Sequence, residues 1–218
     1  LDQKLNRSFF YRRSPYLGVK YHIKTDLPGN LVRLDNFQGG YCGVSKIEDD
    51  KFCLCYLSET ANLKKYSGIA EMEEAVLFKN PYLRSLFKNS EFLFESPEVI
   101  NEISFEKKTL VENHLLFCGD SAGMITPLCG NGMAIAIHSA KILSELVVEY
   151  SAGKLTRDQL EISYTNKWKA QFATRLWAGR QIQKLFGDVW TSNVAVNIIR
   201  RSKPIASMIM RNTHGQPF

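Results

Sequence analysis

The first part of the chain, up to about residue 58, has the hydrophobic pattern of β-strands. Apolar and polar residues alternate over 16–23, as they do in a strand with one buried face. Further strands are predicted at 31–34 and 39–47, and a hairpin turn at 48–51 leads into a returning strand at 52–57. We expect these strands to form an antiparallel meander.

Helical and extended segments alternate in the middle of the chain. Pro81 has the features of a residue in the first turn of a helix, because its missing N–H is not needed there. The predicted segments are helices 61–65, 71–80 and 81–89 and extended stretches 92–94 and 99–105.

A short apolar run, residues 114–118, comes next and predicts a buried parallel strand. The pattern over 133–150 predicts a long helix that stops at 151–153, and residues 156–159 match a capping box that begins another helix. That second helix carries Tyr164, Trp168, Phe172, Arg175 and Leu176 at spacings of three and four. Further helices are predicted at 180–186 and at 189–210, interrupted near Pro204.

The segment 117–136 carries the most chemical information. The predicted strand delivers Asp120 to its carboxyl end, where a carboxylate can accept hydrogen bonds from the hydroxyls of a polyol. Small residues follow at 121–123, and a flat ligand or another backbone can lie close to them. The loop 130–132 then leads directly into a helix, whose first amides lack internal partners and can stabilise negative charge on a ligand.

This segment resembles the second FAD motif of the p-hydroxybenzoate hydroxylase-like flavoproteins, G-D-A-A-G…P…G-x-G…A. That family includes aromatic-ring monooxygenases, geranylgeranyl reductases and flavin-dependent halogenases. Ser121 stands where the family more often has Ala, which leaves the backbone argument intact. The residues that match the motif are Gly119, Asp120, Gly123, Pro127, Gly130, Gly132 and Ala136.

The resemblance implies FAD as the cofactor, with NAD(P)H as an electron donor. Asp120 would bind the ribityl chain, and the backbone amides of Gly130, Asn131 and Gly132, with Met133 next in the helix, would face the N1 and C2 carbonyl edge of the isoalloxazine. The alternative is that the glycines mark ordinary turns at the ends of a strand and a helix.

Two other motifs of that family are absent from the sequence, namely the early G-x-G-x-x-G turn and the Asp-Gly pair. We therefore expect the chain to be the C-terminal portion of a longer flavoprotein of the α/β class. By itself it would be an α+β fragment, which contains part of a Rossmann-like FAD/NAD(P)-binding domain, part of an antiparallel-sheet substrate domain and C-terminal helices. Residues 1–105 would be the end of the substrate-binding β-sheet domain, 106–150 the second FAD-binding segment, and 151–218 a C-terminal helical region.

The substrate is expected to be small and apolar: an isoprenoid, a polyene or an aromatic compound. On overall resemblance the chain is closer to the geranylgeranyl reductase-like group than to the aromatic hydroxylases, with a monooxygenase as the alternative. Tyr41 and Cys42 are candidates for the substrate cavity, although core packing is the alternative for both. The four histidines form no constellation, so no catalytic acid–base residue is named.

Composition limits the remaining possibilities. The 218 residues, with 44% hydrophobic and 23% charged, suit one large or two small globular domains, and no apolar run reaches the roughly 18 residues that span a bilayer. The five cysteines predict neither a disulfide framework nor a metal site, and Cys53 and Cys55 are expected to be small buried residues of a strand. These features favour a cytoplasmic protein.

The net charge of +6 is spread along the chain and lacks the basic stripe of a nucleic-acid-binding protein. The amphipathic basic stretch 194–203 either packs onto the body of the protein or contacts a membrane surface peripherally. A non-catalytic lipid- or protein-binding module remains the alternative from another functional class.

Overall fold

The computed structural model describes residues 3–7, 15–101, 103–126, 129–184 and 189–213. The chain divides into two compact units. The sheet unit comprises residues 10–103 and 186–193, and the helical unit comprises residues 1–9, 104–185 and 194–218.

The sheet unit is built on one antiparallel sheet in the order β2-β3-β4-β1-β5, with β6 also paired to β1. Its strands are β1 (Tyr16–Lys24), β2 (Val32–Phe37), β3 (Gly40–Lys46), β4 (Phe52–Glu59), β5 (Glu91–Phe92) and β6 (Glu98–Ile100). Three helices accompany them: α1 (Thr60–Leu63), α2 (Ile69–Ala75) and α3 (Pro81–Lys88).

The predicted meander is only partly correct, because β1 lies beyond β4 instead of beside β2. It pairs with β4 over its length, from Tyr16 opposite Glu59 to Ile23 opposite Phe52. The reason is hydrophobic burial: β1 buries every second residue, whereas Val32 and Leu34 of β2 are exposed. The more apolar strand therefore takes the centre and the less apolar strand takes an edge.

Local sequence signals in the sheet unit are confirmed. Asp49 and Asp50 adopt positive φ in the turn between β3 and β4, a conformation that short polar residues tolerate. Pro81 is the first residue of α3, and the side chain of Asn80 caps that helix by accepting from the N–H of Tyr82 at 2.9 Å.

One face of the sheet packs on α2 and α3 to form the core of this unit. Alternate residues of β1, β3 and β4 meet Met72 of α2 and Leu83 of α3, and these helical residues are fully buried. The opposite face carries Cys53 and Cys55, of which Cys53 is half-buried and Cys55 exposed. The expectation that both are buried is therefore wrong, because this part of the sheet face is not covered by the core helices.

The helical unit contains two short strands and most of the helical residues. They are β7 (Val111–Glu112), β8 (Leu115–Leu116), α4 (Gly132–Ser151), α5 (Arg157–Lys184), α6 (Val189–Arg201), which begins in the sheet unit, and α7 (Lys203–Thr213). Among the described residues, no helix is both long and apolar enough to cross a membrane.

The predicted buried parallel strand at 114–118 is wrong. Residues 115–116 pair antiparallel with 111–112, and Leu115 is 45% exposed. Asn113 and His114 both have positive φ, as the two central residues of a tight type I′ hairpin require. The apolar run is therefore the second half of a hairpin, and only its end, at Phe117, is buried.

The helix boundaries follow the sequence closely. Gly153 has φ +73° just after α4, and Lys154 N donates to Glu149 O at 3.0 Å, so the chain turns sharply there. Thr156 and Gln159 form the predicted capping box, with each backbone N–H bonded to the other side chain at 2.8 and 3.2 Å. Up to residue 184, the helix predicted at 180–186 is the continuation of α5, and residues 185–186 lie outside the described part of the chain. The break between α6 and α7 falls at Ser202, before Pro204.

The core of the helical unit lies between α4 and α5. Tyr164, Trp168, Phe172 and Leu176 recur every four residues on one side of α5 and are all buried. They pack with buried residues of α4 and with Phe117, whose carbonyl oxygen accepts a hydrogen bond from the Tyr164 hydroxyl. This packing fixes the segment 117–126 against the two helices.

Candidate functional site

The centre of the candidate site is the turn at Gly119–Ser121, which packs against the amino-terminal half of α4. Gly119 has φ +61°, and a Cβ atom there would lie 3.4 Å from the Cβ of Ala136. Its N–H donates to the Ser139 hydroxyl at 3.0 Å, and that hydroxyl donates to the Ala136 carbonyl at 2.9 Å. Ser139 is fully buried and Gly119 is half-buried, so the contact is partly shielded from water.

Two small residues of α4, Ala136 and Ser139, contact the glycine turn, whereas Ala140 is exposed. The small side chains therefore serve to bring the turn close to the helix.

Asp120 lies at the surface of this turn. Its side chain is exposed, while its backbone carbonyl accepts a hydrogen bond from Lys108 Nζ at 2.8 Å. The neighbouring Ser121 hydroxyl donates back to the Cys118 carbonyl at 2.7 Å. The backbone on both sides of Asp120 is thus fixed, and its carboxylate faces solvent.

Arg7 holds the same turn from the other side and was not indicated by the sequence. It is almost completely buried, donates to the Ser121 carbonyl at 2.8 Å, and lies over the ring of Phe117 at 4.1 Å. It also forms an ion pair with Glu112 at 3.4 Å. A buried arginine distant in sequence from its partners leaves no periodic signal, which is why the pattern did not reveal it.

Gly123 is buried and faces α5. A Cβ atom there would approach Leu176 Cδ2 to 2.7 Å and Trp168 Cη2 to 3.0 Å, which is closer than packing allows. The described contacts of this glycine are therefore with the core, and its predicted role in cofactor binding stays a prediction.

The glycine loop before α4 combines an unusual backbone with an open surface. Gly130 has φ +67°, a backbone conformation that favours glycine. A Cβ atom at this position would meet nothing within 4 Å, so a lack of space is not the reason for glycine here. Gly132 is half-buried and begins α4, and Met133 is 83% exposed. Pro127, which the motif places in this loop, lies outside the described residues.

Asn131 is the N-cap residue of α4, yet its side chain makes no capping bond to that helix. Its Nδ2 instead donates to the Thr213 carbonyl at the end of α7. The first internal hydrogen bond of α4 runs from Ile135 N to Asn131 O at 3.1 Å, so the amides of residues 132–134 have no acceptor within the helix. The positive end of the α4 dipole is therefore directed at the loop.

Thr126 anchors this loop to α5 and was not singled out from the sequence. Its fully buried hydroxyl lies 3.4 Å from Cys129 Sγ and donates to the Gly179 carbonyl at 3.3 Å. Gly179 permits this approach, because a Cβ there would lie 3.2 Å from both the Thr126 hydroxyl and Cys129 Sγ. Burial raises the pKa of Cys129, as expected for a thiol with a structural role.

The two substrate-cavity candidates on β3 point to opposite faces of the sheet. Cys42 is 1% exposed in the core, and its burial raises its thiol pKa. The structure places Cys42 among the packed core residues, and its expected place in a substrate cavity stays a prediction. Tyr41 is buried on the other face, where its strand neighbours are Asn36 and Leu57. Its role stays a prediction.

The comparisons with known proteins find similarity over 71–93% of this chain. No family model matches it. The digeranylgeranylglycerophospholipid reductase of Methanococcus vannielii is 24% identical over 194 residues, which cover 71% of this chain and 49% of that protein.

Two solved structures share the fold. The flavin-dependent brominase Bmp2 superposes with a TM-score of 0.70 at 16% identity, covering 91% of this chain and 50% of the brominase. Klebsiella pneumoniae HpxO, complexed with FAD and uric acid, has a TM-score of 0.60 at 17% identity, covering 93% of this chain and 53% of HpxO. The chain thus spans about half the length of these proteins. It has the mixed α/β fold of that half, with an antiparallel sheet and C-terminal helices, which confirms the predicted fold class.

Proposed function

We propose that this chain is part of an FAD-dependent oxidoreductase, and that Asp120 and the amino end of α4 contribute to holding the flavin. The observation that carries this proposal is the hydrogen bond from Gly119 N to Ser139 Oγ, which fixes the turn bearing Asp120 against α4. An exposed carboxylate and a set of helix amides are thereby held on one rigid framework.

The residues present fit the two polar parts of a flavin. The exposed Asp120 carboxylate can accept hydrogen bonds from the ribityl hydroxyls. The amides of residues 132–134 have no acceptor within α4, and the Asn131 side chain, bonded to Thr213, does not cap them. These amides can therefore donate to the electron-rich N1–C2 edge of the isoalloxazine.

The flavin, when bound, supplies the electron-transfer chemistry, and the protein supplies binding, orientation and electrostatics. The α4 amides stabilise negative charge at the edge of the ring system that they face, because the helix dipole is positive at its amino end. Lys108 and Arg7 fix the backbone at 120 and 121 through their hydrogen bonds to those two carbonyls. Asp120 is thereby positioned to orient the polyol chain.

The finer assignment is a reductase of the geranylgeranyl reductase type acting on an apolar substrate, with NAD(P)H as electron donor. The sequence match to the reductase of Methanococcus vannielii supports the reductase over the monooxygenase alternative. A substrate of this class is insoluble in water, so a contact with a membrane surface belongs to the same proposal. The exposed Val196 and Ile198 of α6, together with Arg200 and Arg201 in its last turn, support that contact.

The test begins with the protein expressed from its complete reading frame. We expect the purified protein to carry the visible absorption of oxidised flavin, and anaerobic NADPH or NADH to bleach it. Addition of an isoprenoid with a reducible double bond should restore the oxidised spectrum without oxygen. A colourless protein that takes up no FAD would contradict the oxidoreductase, whereas a flavin that only oxygen reoxidises would favour the monooxygenase.

A further inference from the structure

The helical unit contains a cavity that borders the candidate flavin site, because Gly123 and Lys108, which bonds the Asp120 carbonyl, both line it. Its volume is about 330 Å³, at the lower end of the range for small-molecule sites. One wall is the segment 106–110 and another is the α5 residues between Trp168 and Arg180, and Ala122 and Gly123 also line the cavity. The space suits a ligand with one phosphate group and one ring or short chain.

Basic side chains dominate the polar part of this wall. Lys107, Lys108, Lys169 and Arg180 all line the cavity, against a single acidic residue, Glu106. The described hydrogen bond of Arg180 goes to the neutral backbone carbonyl of Phe105 at 3.4 Å, and no ion pair of Arg180 is found among the described residues. Like charges repel one another around a shared space, and an anion in that space removes the repulsion.

Two tryptophans supply the apolar part of the wall. Trp177 lines the cavity and is 58% exposed, so its ring is available to an apolar or aromatic group. Trp168 also lines it and is buried, and its indole Nε1 finds no hydrogen-bond acceptor among the described residues. A buried N–H donor is costly without an acceptor, which a ligand oxygen can provide.

We propose that this cavity binds an organophosphate: an anionic phosphate held by Lys107, Lys169 and Arg180, attached to an apolar or aromatic group that contacts Trp177. Arginine and lysine together match the several oxygens of a phosphate. The proposal concerns a second site of the helical unit and does not depend on flavin binding. Adenosine monophosphate and dihexanoyl phosphatidic acid represent the two sources of this chemistry, a nucleotide and a phospholipid.

The test is calorimetric titration of the protein with these two compounds and with inorganic phosphate. We expect at least one organophosphate to bind tenfold or more tightly than inorganic phosphate, and the compound that does so identifies the source. The double substitution Lys107→Ala with Lys169→Ala should weaken its binding at least tenfold. The matched control replaces Lys141 and Lys154, which are exposed lysines of the same unit, and should leave the affinity within twofold.

Two further variants separate this site from the flavin site. Trp177→Phe should keep the fold, because the residue is largely exposed, but lower the affinity for the bound compound. Asp120→Ala should leave that affinity unchanged. The proposal is overturned if neither compound binds more tightly than inorganic phosphate, if both lysine double variants bind alike, or if only Asp120→Ala abolishes binding.

Discussion

The backbone N–H of Gly119 donates to the hydroxyl of Ser139 at 3.0 Å, across twenty residues of sequence, and Ser139 itself is fully buried. The same hydroxyl donates to the Ala136 carbonyl, so one side chain satisfies a helix carbonyl and a turn amide together. The proposed flavin site depends on this contact, because it sets the position of the turn that bears Asp120.

Replacement of Ser139 by Ala should therefore destabilise the turn. The variant removes the acceptor of the half-buried Gly119 N–H, at a cost of about 1 kcal/mol in the free energy of unfolding. Ser144→Ala is the matched control, since Ser144 lies on the same helix and its hydroxyl also bonds the carbonyl three residues earlier, but at the surface. Urea denaturation of both variants checks the difference, and equal stability of the two would contradict the role of Ser139.

Two glycines of the motif should respond in opposite ways to substitution by Ala. At Gly123 the new methyl group would lie 2.7 Å from Leu176 Cδ2, and we expect a loss of about 1–3 kcal/mol from overpacking. At Gly132 the nearest atom would be 3.8 Å away and the residue is helical, so stability should stay equal or rise slightly. Thermal denaturation distinguishes the two, and a stable Gly123→Ala variant would show that the core can give way there.

A buried carboxyl makes the stability of the sheet unit depend on pH. Glu73 Oε1 accepts hydrogen bonds from the hydroxyls of Tyr21 and Tyr56, both at 2.8 Å, and desolvation raises the pKa of Glu73. The folded state therefore holds this proton to a higher pH than the unfolded chain, whose pKa is about 4.3. The protonated Glu73 carboxyl therefore contributes fully to the free energy of unfolding below the unfolded pKa, and this contribution declines as the pH rises through the folded pKa.

Glu73→Gln removes this titration while it keeps an acceptor for the tyrosines. We expect the variant to gain stability relative to the wild type as the pH rises above the unfolded pKa of about 4.3. Glu74→Gln, at the exposed neighbouring position, should follow the wild type throughout. Chemical denaturation at a series of pH values measures the difference, and parallel curves for all three proteins would exclude a raised pKa at Glu73.

The cysteines should differ sharply in reactivity. A hydrogen bond from Cys55 lowers the pKa of Cys53 to about 7, whereas burial raises the pKa of Cys42 and of Cys129. Because the thiolate is the nucleophile, iodoacetamide should alkylate Cys53 with a rate that rises through pH 7, while Cys42 and Cys129 stay protected.

Cys55→Ala should move the Cys53 rate profile to higher pH, since it removes the hydrogen-bond donor. Cys118→Ala, which replaces a half-buried thiol in the other unit, is the control and should leave the profile unchanged. Mass spectrometry of the alkylated peptides provides the measurement. Alkylation of Cys42 as fast as that of Cys53 would contradict the predicted order.

The features that the sequence predicted are those encoded by neighbouring residues. The capping box of Thr156 and Gln159 and the start of α3 at Pro81 depend on contacts within one turn of chain. The glycine loop at 130–132 likewise predicted the start of α4 at Gly132.

The features that the sequence did not predict depend on partners far along the chain. The central place of β1 follows from its pairing with β4, and Arg7 reaches the turn at Ser121 from more than a hundred residues away. The prediction for the run at 114–118 was wrong because it relied on the apolar residues, which indicate burial. The positive φ angles of Asn113 and His114 instead form the turn of a hairpin. The cavity between residues 106–110 and α5 likewise forms only when the helix packs.

The most direct test of the account measures FAD affinity after substitution of Asp120. In the protein expressed from its complete reading frame, Asp120→Ala should weaken FAD binding at least tenfold, because the carboxylate that orients the ribityl chain is lost. Asp158→Asn removes the same charge from the exposed start of α5 and should bind FAD like the wild type. Equal FAD affinity in all three proteins would contradict the proposal that this turn holds the flavin.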